Sequence, residues 1–313
     1  MMKAALVESF KEDPQYKDFA APKPTDTQVL INVKAASVNQ LVKAKAAGTH
    51  YSSHVQPPII PGVDGVGQLD NGQMVYFMAT DPVYGTLAEQ TLTDSRAMIP
   101  VPEYADPAVV AASVNPAMSS WMAIKERVGD IQGKTVLVLG ATGHAGSLAV
   151  AVSKYLGAKQ VIALGRNQTK LAALDSDVQI PLTMDAAFKT AIAKIADSVD
   201  VVLDYLWGDV SQNVMMPLLT ARADHSQALT WVEIGSITGS DLVLPAAALR
   251  STNLTLLGSG QGGIATKTFL KDLPELINLI AKGHFNVAVD VRPLANVQED
   301  WQAKTDKRLV FEP

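Results

Sequence analysis

The chain has 313 residues, 48% hydrophobic and 18% charged, with a formal net charge of −5; that is length enough for two domains with sizeable cores. The acidic balance, with Lys and Arg scattered, offers no electrostatic grip on nucleic acid, and the absence of cysteine excludes disulfides, thiolate zinc sites, iron–sulfur clusters and a catalytic thiol. No apolar run approaches the ~20 residues of a membrane span, and MMKAALVESFKEDP turns charged too early for a signal peptide, so a cytoplasmic protein without membrane contact is expected.

In chain order, residues 1–117 carry short β-type runs, Lys3–Glu8, Gln28–Ala35 and Gln73–Phe77. Turns rich in proline and glycine, such as APKPTD, VQPPIIPGVDGVG and LDNGQ, separate them. This punctuation predicts a mostly β domain with few long helices. From Lys134 the texture becomes an alternation: strand TVLVLG, helix SLAVAVSKYLGA, strand QVIALG, helix NQTKLAAL, a weak strand VQIPL, helix DAAFKTAIAKIA, strand VDVVLDYL, a further helix, then strand ALTWVEIG. Short apolar runs separated by helical segments predict an α/β fold, a doubly wound parallel sheet with strands buried on both faces. After LTLLGSGQGG, a helix over Lys267–Lys282 and a last short strand over Phe285–Val291 close the chain.

Between the first strand and helix of the alternation stands Gly140-Ala141-Thr142-Gly143-His144-Ala145-Gly146. Glycine serves a tight turn, close approach to a pyrophosphate and helix-on-strand packing, each of which excludes a Cβ. Phosphate can then rest on the open amides of a helix N-terminus, where the helix dipole favours negative charge. A turn that merely needs glycine is the bland alternative; the strand–helix–strand setting predicts dinucleotide binding. The next strand ends in Leu164-Gly165-Arg166-Asn167, and Arg166 lies 20 residues after Gly146. NAD-selective folds place a carboxylate near there; a guanidinium grips a 2′-phosphate instead, so NADP(H) is expected over NAD(H). The alternative for Arg166 is a solvated loop side chain.

Other motifs fit less well. Gly133-Lys134-Thr135 lacks the upstream glycine of a phosphate loop and precedes its strand. Tyr155 and Lys159 match a YxxxK pair, but Gly157 interrupts it, which leaves Tyr155 as packing and Lys159 as solvated. His50 and His54 are four apart in a polar segment that meets two prolines, so a loop is expected rather than a metal-holding helix, and no metal site is assigned. His225 and His284 carry no partner signal, and no GxSxG elbow supports a serine hydrolase.

Together MKAALVESF, VLINVKAASVNQLVKAKAAGTHY, PPIIPGVDGVG, VNPAMSSWMAI, the glycine turn and GSGQGG resemble the zinc-free quinone oxidoreductase branch of the medium-chain dehydrogenase/reductase superfamily over nearly the whole chain. The resemblance implies a discontinuous GroES-like, mostly β catalytic domain (1–117 and 256–313) around a Rossmann NADP-binding domain (118–255). Zinc-dependent members carry a cysteine where this chain has Ser37-Val38-Asn39 and a His-Glu pair where it has Val63-Asp64. Without thiolate or imidazole the usual Lewis acid cannot be assembled, and Asp64 is expected to be a turn or sheet-packing carboxylate.

The resemblance places Asn39 beside the nicotinamide as a carbonyl-polarising amide, against the alternative of an Asx-type turn. It makes Tyr51 a substrate-pocket hydroxyl, against packing in a loop. Gly235-Ser236 and Gly260-Gln261 fall at strand-end turns that line the cofactor crevice in such folds, with Asn115, Leu206 and Trp207 as further candidates. The implied activity is NADPH-dependent reduction of quinones or α,β-unsaturated carbonyls. An NADPH-binding sensor with little turnover and an alcohol dehydrogenase-like enzyme are the competing readings. Dimers are common in the family, and the strand LTWVEIGS, near the Rossmann sheet edge, is a candidate for pairing across a two-fold in a homodimer.

Overall fold

The structure, a computed structural model, describes residues 1–50, 53–260 and 262–313. Contacts divide it into two compact units, residues 1–115 with 270–313 and residues 116–269.

The first unit opens with β1 (Met2–Leu6), antiparallel to β2 (Gln15–Phe19). Then come β3 (Gln28–Ser37), α1 (Gln40–Ala46), β4 (Asp64–Gln68), β5 (Met74–Met78), β6 (Gln90–Asp94), β7 (Met98–Pro100) and α2 (Pro107–Met122). β3 is the hub: it is long enough to pair antiparallel with both β4 and β6. β4, taken from its glycines as part of a turn, is a strand because those glycines let β3 approach. A Cβ on Gly65 would stand 2.7 Å from the Ala35 carbonyl oxygen, and one on Gly67 2.8 Å from that of Asn32. Few long helices were expected here, yet α2 runs 16 residues. Its Ala-, Val- and Ser-rich sequence is buried nearly all round, so it has no polar face to reveal a helical period.

The second unit alternates β8 (Thr135–Leu139), α3 (His144–Tyr155), β9 (Gln160–Gly165), α4 (Gln168–Ala172), β10 (Val178–Pro181), α5 (Ala186–Ile195), β11 (Val201–Asp204), α6 (Gly208–Ala221), β12 (Leu229–Glu233), α7 (Ala246–Ser251) and β13 (Leu254–Gly258). All pairs are parallel, in the order β10-β9-β8-β11-β12-β13. Every residue of β8 is buried, as a strand flanked on both edges and covered on both faces must be. The chain winds outward from β8 to β10 and then returns to β11, so the strand order reverses between β8 and β11. Such a switch point opens a crevice at the carboxyl ends of the two strands. Two expectations need correction. The strand LTWVEIGS lies inside the sheet, between β11 and β13, and β13 is the edge. A domain boundary at 255/256 would cut β13, which pairs with β12 in this unit, and the contact division places residues up to 269 here.

The tail consists of α8 (Thr266–Ala281), β14 (Val289–Pro293), α9 (Val297–Asp300) and β15 (Arg308–Glu312). The last expected strand, Phe285–Val291, is ordered as β14 from Val289 onward, and it does not close the chain. β15 does, parallel to β14 and antiparallel to β3, in the order β14-β15-β3-β4-β5-β7. Among the described residues no helix is long and apolar enough to cross a membrane.

Candidate functional site

The glycine turn leaves β8 at the switch point. Gly140 has φ 92°, and its amide and that of Ala141 both donate to the Leu164 carbonyl at the end of β9, at 3.0 and 2.8 Å. A Cβ on Gly140 would stand 3.0 Å from Leu206 Cδ2, and one on Gly146 would overlap the Gly140 carbonyl oxygen and lie 2.8 Å from Ala141 Cα. Helix α3 therefore starts hard against the turn. Its first internal bond runs from the Ser147 amide to the Gly143 carbonyl, 2.8 Å, and Gly143 brings no side-chain cap. The helix thus offers no internal acceptor to the amides of His144, Ala145 and Gly146. Together the backbone cradle, the crowding that excludes a Cβ and the dipole of a 12-residue helix suit a pyrophosphate.

The other sequence candidates divide. Gly165 is glycine because the Thr142 side chain occupies the place of a Cβ. Arg166 is exposed just beyond β9, while Asn167 caps α4, its Oδ1 accepting from the Lys170 amide at 3.0 Å. Leu206 packs beside Gly140, and Gly235 donates to the Asp204 carbonyl at the head of the same crevice. Ser236 and Gly260 are exposed in the turns after β12 and β13. Tyr51 and Gln261 lie outside the described residues. Tyr155 ends α3 with its ring 6.1 Å from that of Trp121. His50 and His54 sit outside any helix, and among the described residues no three His, Cys, Asp or Glu side chains gather as a metal-ligating group.

Sequence reasoning missed Tyr205, directly after β11. Its hydroxyl lies 2.9 Å from Ser119 Oγ, and burial pushes the phenol up to about 12. It missed Asp204 as well, whose buried carboxylate collects the amides of Leu206 and Trp207 and the Trp231 indole. A single acid inside an apolar strand, VVLD, is the signal that was available.

In the first unit, Asn39 is the N-cap of α1: its Oδ1 accepts from the Val42 amide at 2.9 Å, while its buried Nδ2 has no hydrogen-bond partner among the described residues. The turn before it is clamped by β15, with Val38 N donating to the Leu309 carbonyl and Arg308 Nη1 to the Val38 carbonyl, 2.9 and 3.2 Å. Asp64, expected as a packing carboxylate, does more than pack. Its Oδ2 accepts from Tyr76 Oη (2.9 Å) and Asn115 Nδ2 (2.6 Å), and Oδ1 is buried without a partner among the described residues. Burial pushes the carboxyl above the ordinary aspartate range; the two hydrogen bonds and the Arg308 charge oppose that shift. Asn115, a candidate for the cofactor, donates one of its amide hydrogens here.

No family model matches the chain. It is 28% identical over 360 aligned positions, all of both chains, to the "Probable NADPH-dependent quinone reductase tdiC" of Emericella nidulans. It is 27% identical over 206 positions, 60% of this chain and 52% of the relative, to the "NADPH-dependent alkenal/one oxidoreductase, chloroplastic" of Arabidopsis thaliana. Among solved structures, the quinone oxidoreductase of Thermus thermophilus, also solved in complex with NADPH, superimposes with a TM-score of 0.82 at 23% identity and 100% coverage of both chains.

Proposed function

We infer that this chain, similar over its whole length to a probable NADPH-dependent quinone reductase and over 60% of it to an NADPH-dependent alkenal/one oxidoreductase, is a zinc-independent, NADPH-dependent oxidoreductase that reduces quinones or α,β-unsaturated carbonyls by hydride transfer. The observation that carries the reading is the glycine turn at the switch point, crowded enough to forbid a Cβ at Gly146 and followed by a helix whose first amides lack an internal acceptor. Gly143, His144, Ala145 and Gly146 would hold the pyrophosphate, with Leu206, Gly235, Ser236, Gly260 and Gln261 along the crevice. Arg166 would meet the 2′-phosphate.

Bound NADPH supplies the hydride. What the chain adds is orientation and hydrogen bonding to the oxygen on which charge develops. Asn39 suits that task because capping α1 consumes its Oδ1 and leaves Nδ2 as an oriented donor in a buried position, where a hydrogen bond to a developing anion is worth most. Tyr51 is the second proposed donor, with the final proton coming from it or from solvent. A catalytic zinc is not part of the reading: Ser37 and Val63 present neither thiolate nor imidazole.

The test is a panel of quinones and enones with NADPH consumption followed by absorbance, beside calorimetry of NADPH and NADH. Turnover on either class with preference for NADPH is expected, unaffected by a chelator. Tight NADPH binding without turnover on any of them would make the protein a sensor, and chelator-sensitive alcohol oxidation would reverse the zinc-free reading.

We also place the protein in the cytoplasm, in keeping with its lack of cysteine, and as a homodimer. The open edge of β13 supports the dimer, together with Ile237 and Val243, which are 68% and 71% exposed in the segment leading to that edge.

A further inference from the structure

The second unit carries a cavity of about 430 Å³ at the carboxyl ends of β12 and β13. Trp207, Trp231 and Leu256 form its apolar walls, and Glu233, Ser236 and Ser240 supply its polar groups. No residue that lines it is basic.

The walls are built rather than incidental. Trp207 has φ 55°, in the left-handed region that a bulky side chain adopts only where its surroundings over-determine it. Those surroundings are present: Asp204 Oδ1 accepts from the amides of Leu206 and Trp207, at 2.8 and 3.1 Å, and the Thr238 hydroxyl lies 2.9 and 2.6 Å from the carbonyls of the same two residues. Asp204 Oδ2 also accepts from the Trp231 indole N–H at 2.9 Å, so one buried carboxylate positions both aromatic walls. Glu233 stands opposite Asp204 in the β11–β12 register and two residues from Trp231, hence on the same face. Burial pushes the half-buried Glu233 carboxyl up, and the charge of Asp204 pushes it further.

A carboxylate with no basic residue beside it among the described residues that line the cavity, the partly exposed Trp207 ring whose face attracts cations and hydroxyls that accept hydrogen bonds all select the same ligand chemistry. An anion would meet the Glu233 carboxylate, the one acidic group that lines the cavity, with Asp204 buried behind the wall, and a purely apolar ligand would strand Glu233 away from water. We propose that this cavity binds a small organic cation, a protonated primary amine on an aromatic or aliphatic body, with the ammonium on Glu233 and the body against Trp207 and Leu256. The volume suits a molecule of that size. The proposal is distinguished from the hydride-transfer reading by Glu233, which is assigned no part in holding the cofactor, whereas Ser236 and Trp207 are also candidates for the cofactor crevice.

The test is calorimetry on the whole chain with 2-phenylethylammonium as the probe and 2-phenylethanol and phenylacetate as its neutral and anionic counterparts. The ammonium should bind and phenylacetate should not, with the alcohol weaker than the ammonium by roughly tenfold, the worth of one charge-assisted contact. Glu233→Gln should cost about the same factor while NADPH affinity, titrated in parallel, stays unchanged. Ser240→Lys places a positive charge on an exposed residue at the cavity and should weaken the ammonium even if Glu233→Gln folds poorly. No binding of the ammonium, equal binding of the alcohol, indifference to both substitutions, or displacement of the ammonium by NADPH would each overturn the proposal.

Discussion

At residue scale, Arg166 and Asn39 divide the labour that the proposed reaction asks of side chains. Arg166 is exposed beyond β9, as a phosphate-gripping guanidinium has to be before its ligand arrives. Arg166→Asp should weaken NADPH by tenfold or more, roughly one bidentate contact plus a repulsion, and leave NADH nearly unchanged in the same titration. Equal loss for both would remove Arg166 from the site. Asn39 allows a cleaner separation, since its two side-chain atoms have different duties. Asn39→Asp keeps the capping oxygen, and aspartate caps helices about as well as asparagine, so the melting temperature should hold. It removes the donor, so turnover should fall roughly 10²-fold, as when an oxyanion-hole donor is lost. Retained turnover would assign Asn39 to the cap alone. From ASVNQL, an amide for chemistry and an amide for a turn are alternatives; in the fold one oxygen caps and the nitrogen is left over, and only tertiary packing gives the two ends of the side chain different surroundings.

At element scale, the first unit is tied together by a buried polar knot. Asp64 begins β4, Tyr76 belongs to β5, Asn115 to α2, and Arg308, whose charge faces Asp64, begins β15. Because burial raises the folded-state pKa of Asp64, the folded chain holds that proton to higher pH than the unfolded chain does. Stability from this group is therefore greatest at or below the ordinary aspartate range and declines as pH rises through the raised value. Asp64→Asn, whose carboxamide oxygen can keep both hydrogen bonds on the Oδ2 side, should remove that decline. Denaturation of both proteins across acidic to neutral pH should show the variant gaining on the wild type as pH rises, and parallel curves would contradict the assignment. The elements that make this knot were the least legible in the sequence. β15 and β4 become strands by pairing with β3, and α2 lacks a polar face. By contrast β8, β9, β11 and β12 announced themselves, because a strand covered on both faces has to be apolar along most of its length.

At the scale of the whole molecule, the sheet edge carries the proposed dimer. Ile237→Glu combined with Val243→Glu changes side chains that are mostly exposed, so the fold should survive while charge repels a second copy. Ultracentrifugation should shift the protein from dimer to monomer; a wild-type chain that is already monomeric would dismiss the dimer. Strand order is what misled the sequence reading, since WVEIG and LTLLG are equally apolar runs and nothing local says which of them is outermost. The sequence by itself determined the alternating parallel sheet, the glycine turn and the lack of thiolate ligands, because periodicity, glycine and residue chemistry act over a few neighbouring positions. Only the tertiary structure decided that the turn opens at the reversal between β8 and β11, that Asp64 meets Asn115 and that Asp204 sets the walls beside Glu233. Those groups lie tens of residues apart in the chain, and which of them shares a buried space is a consequence of strand order and packing, which local residue preferences do not encode.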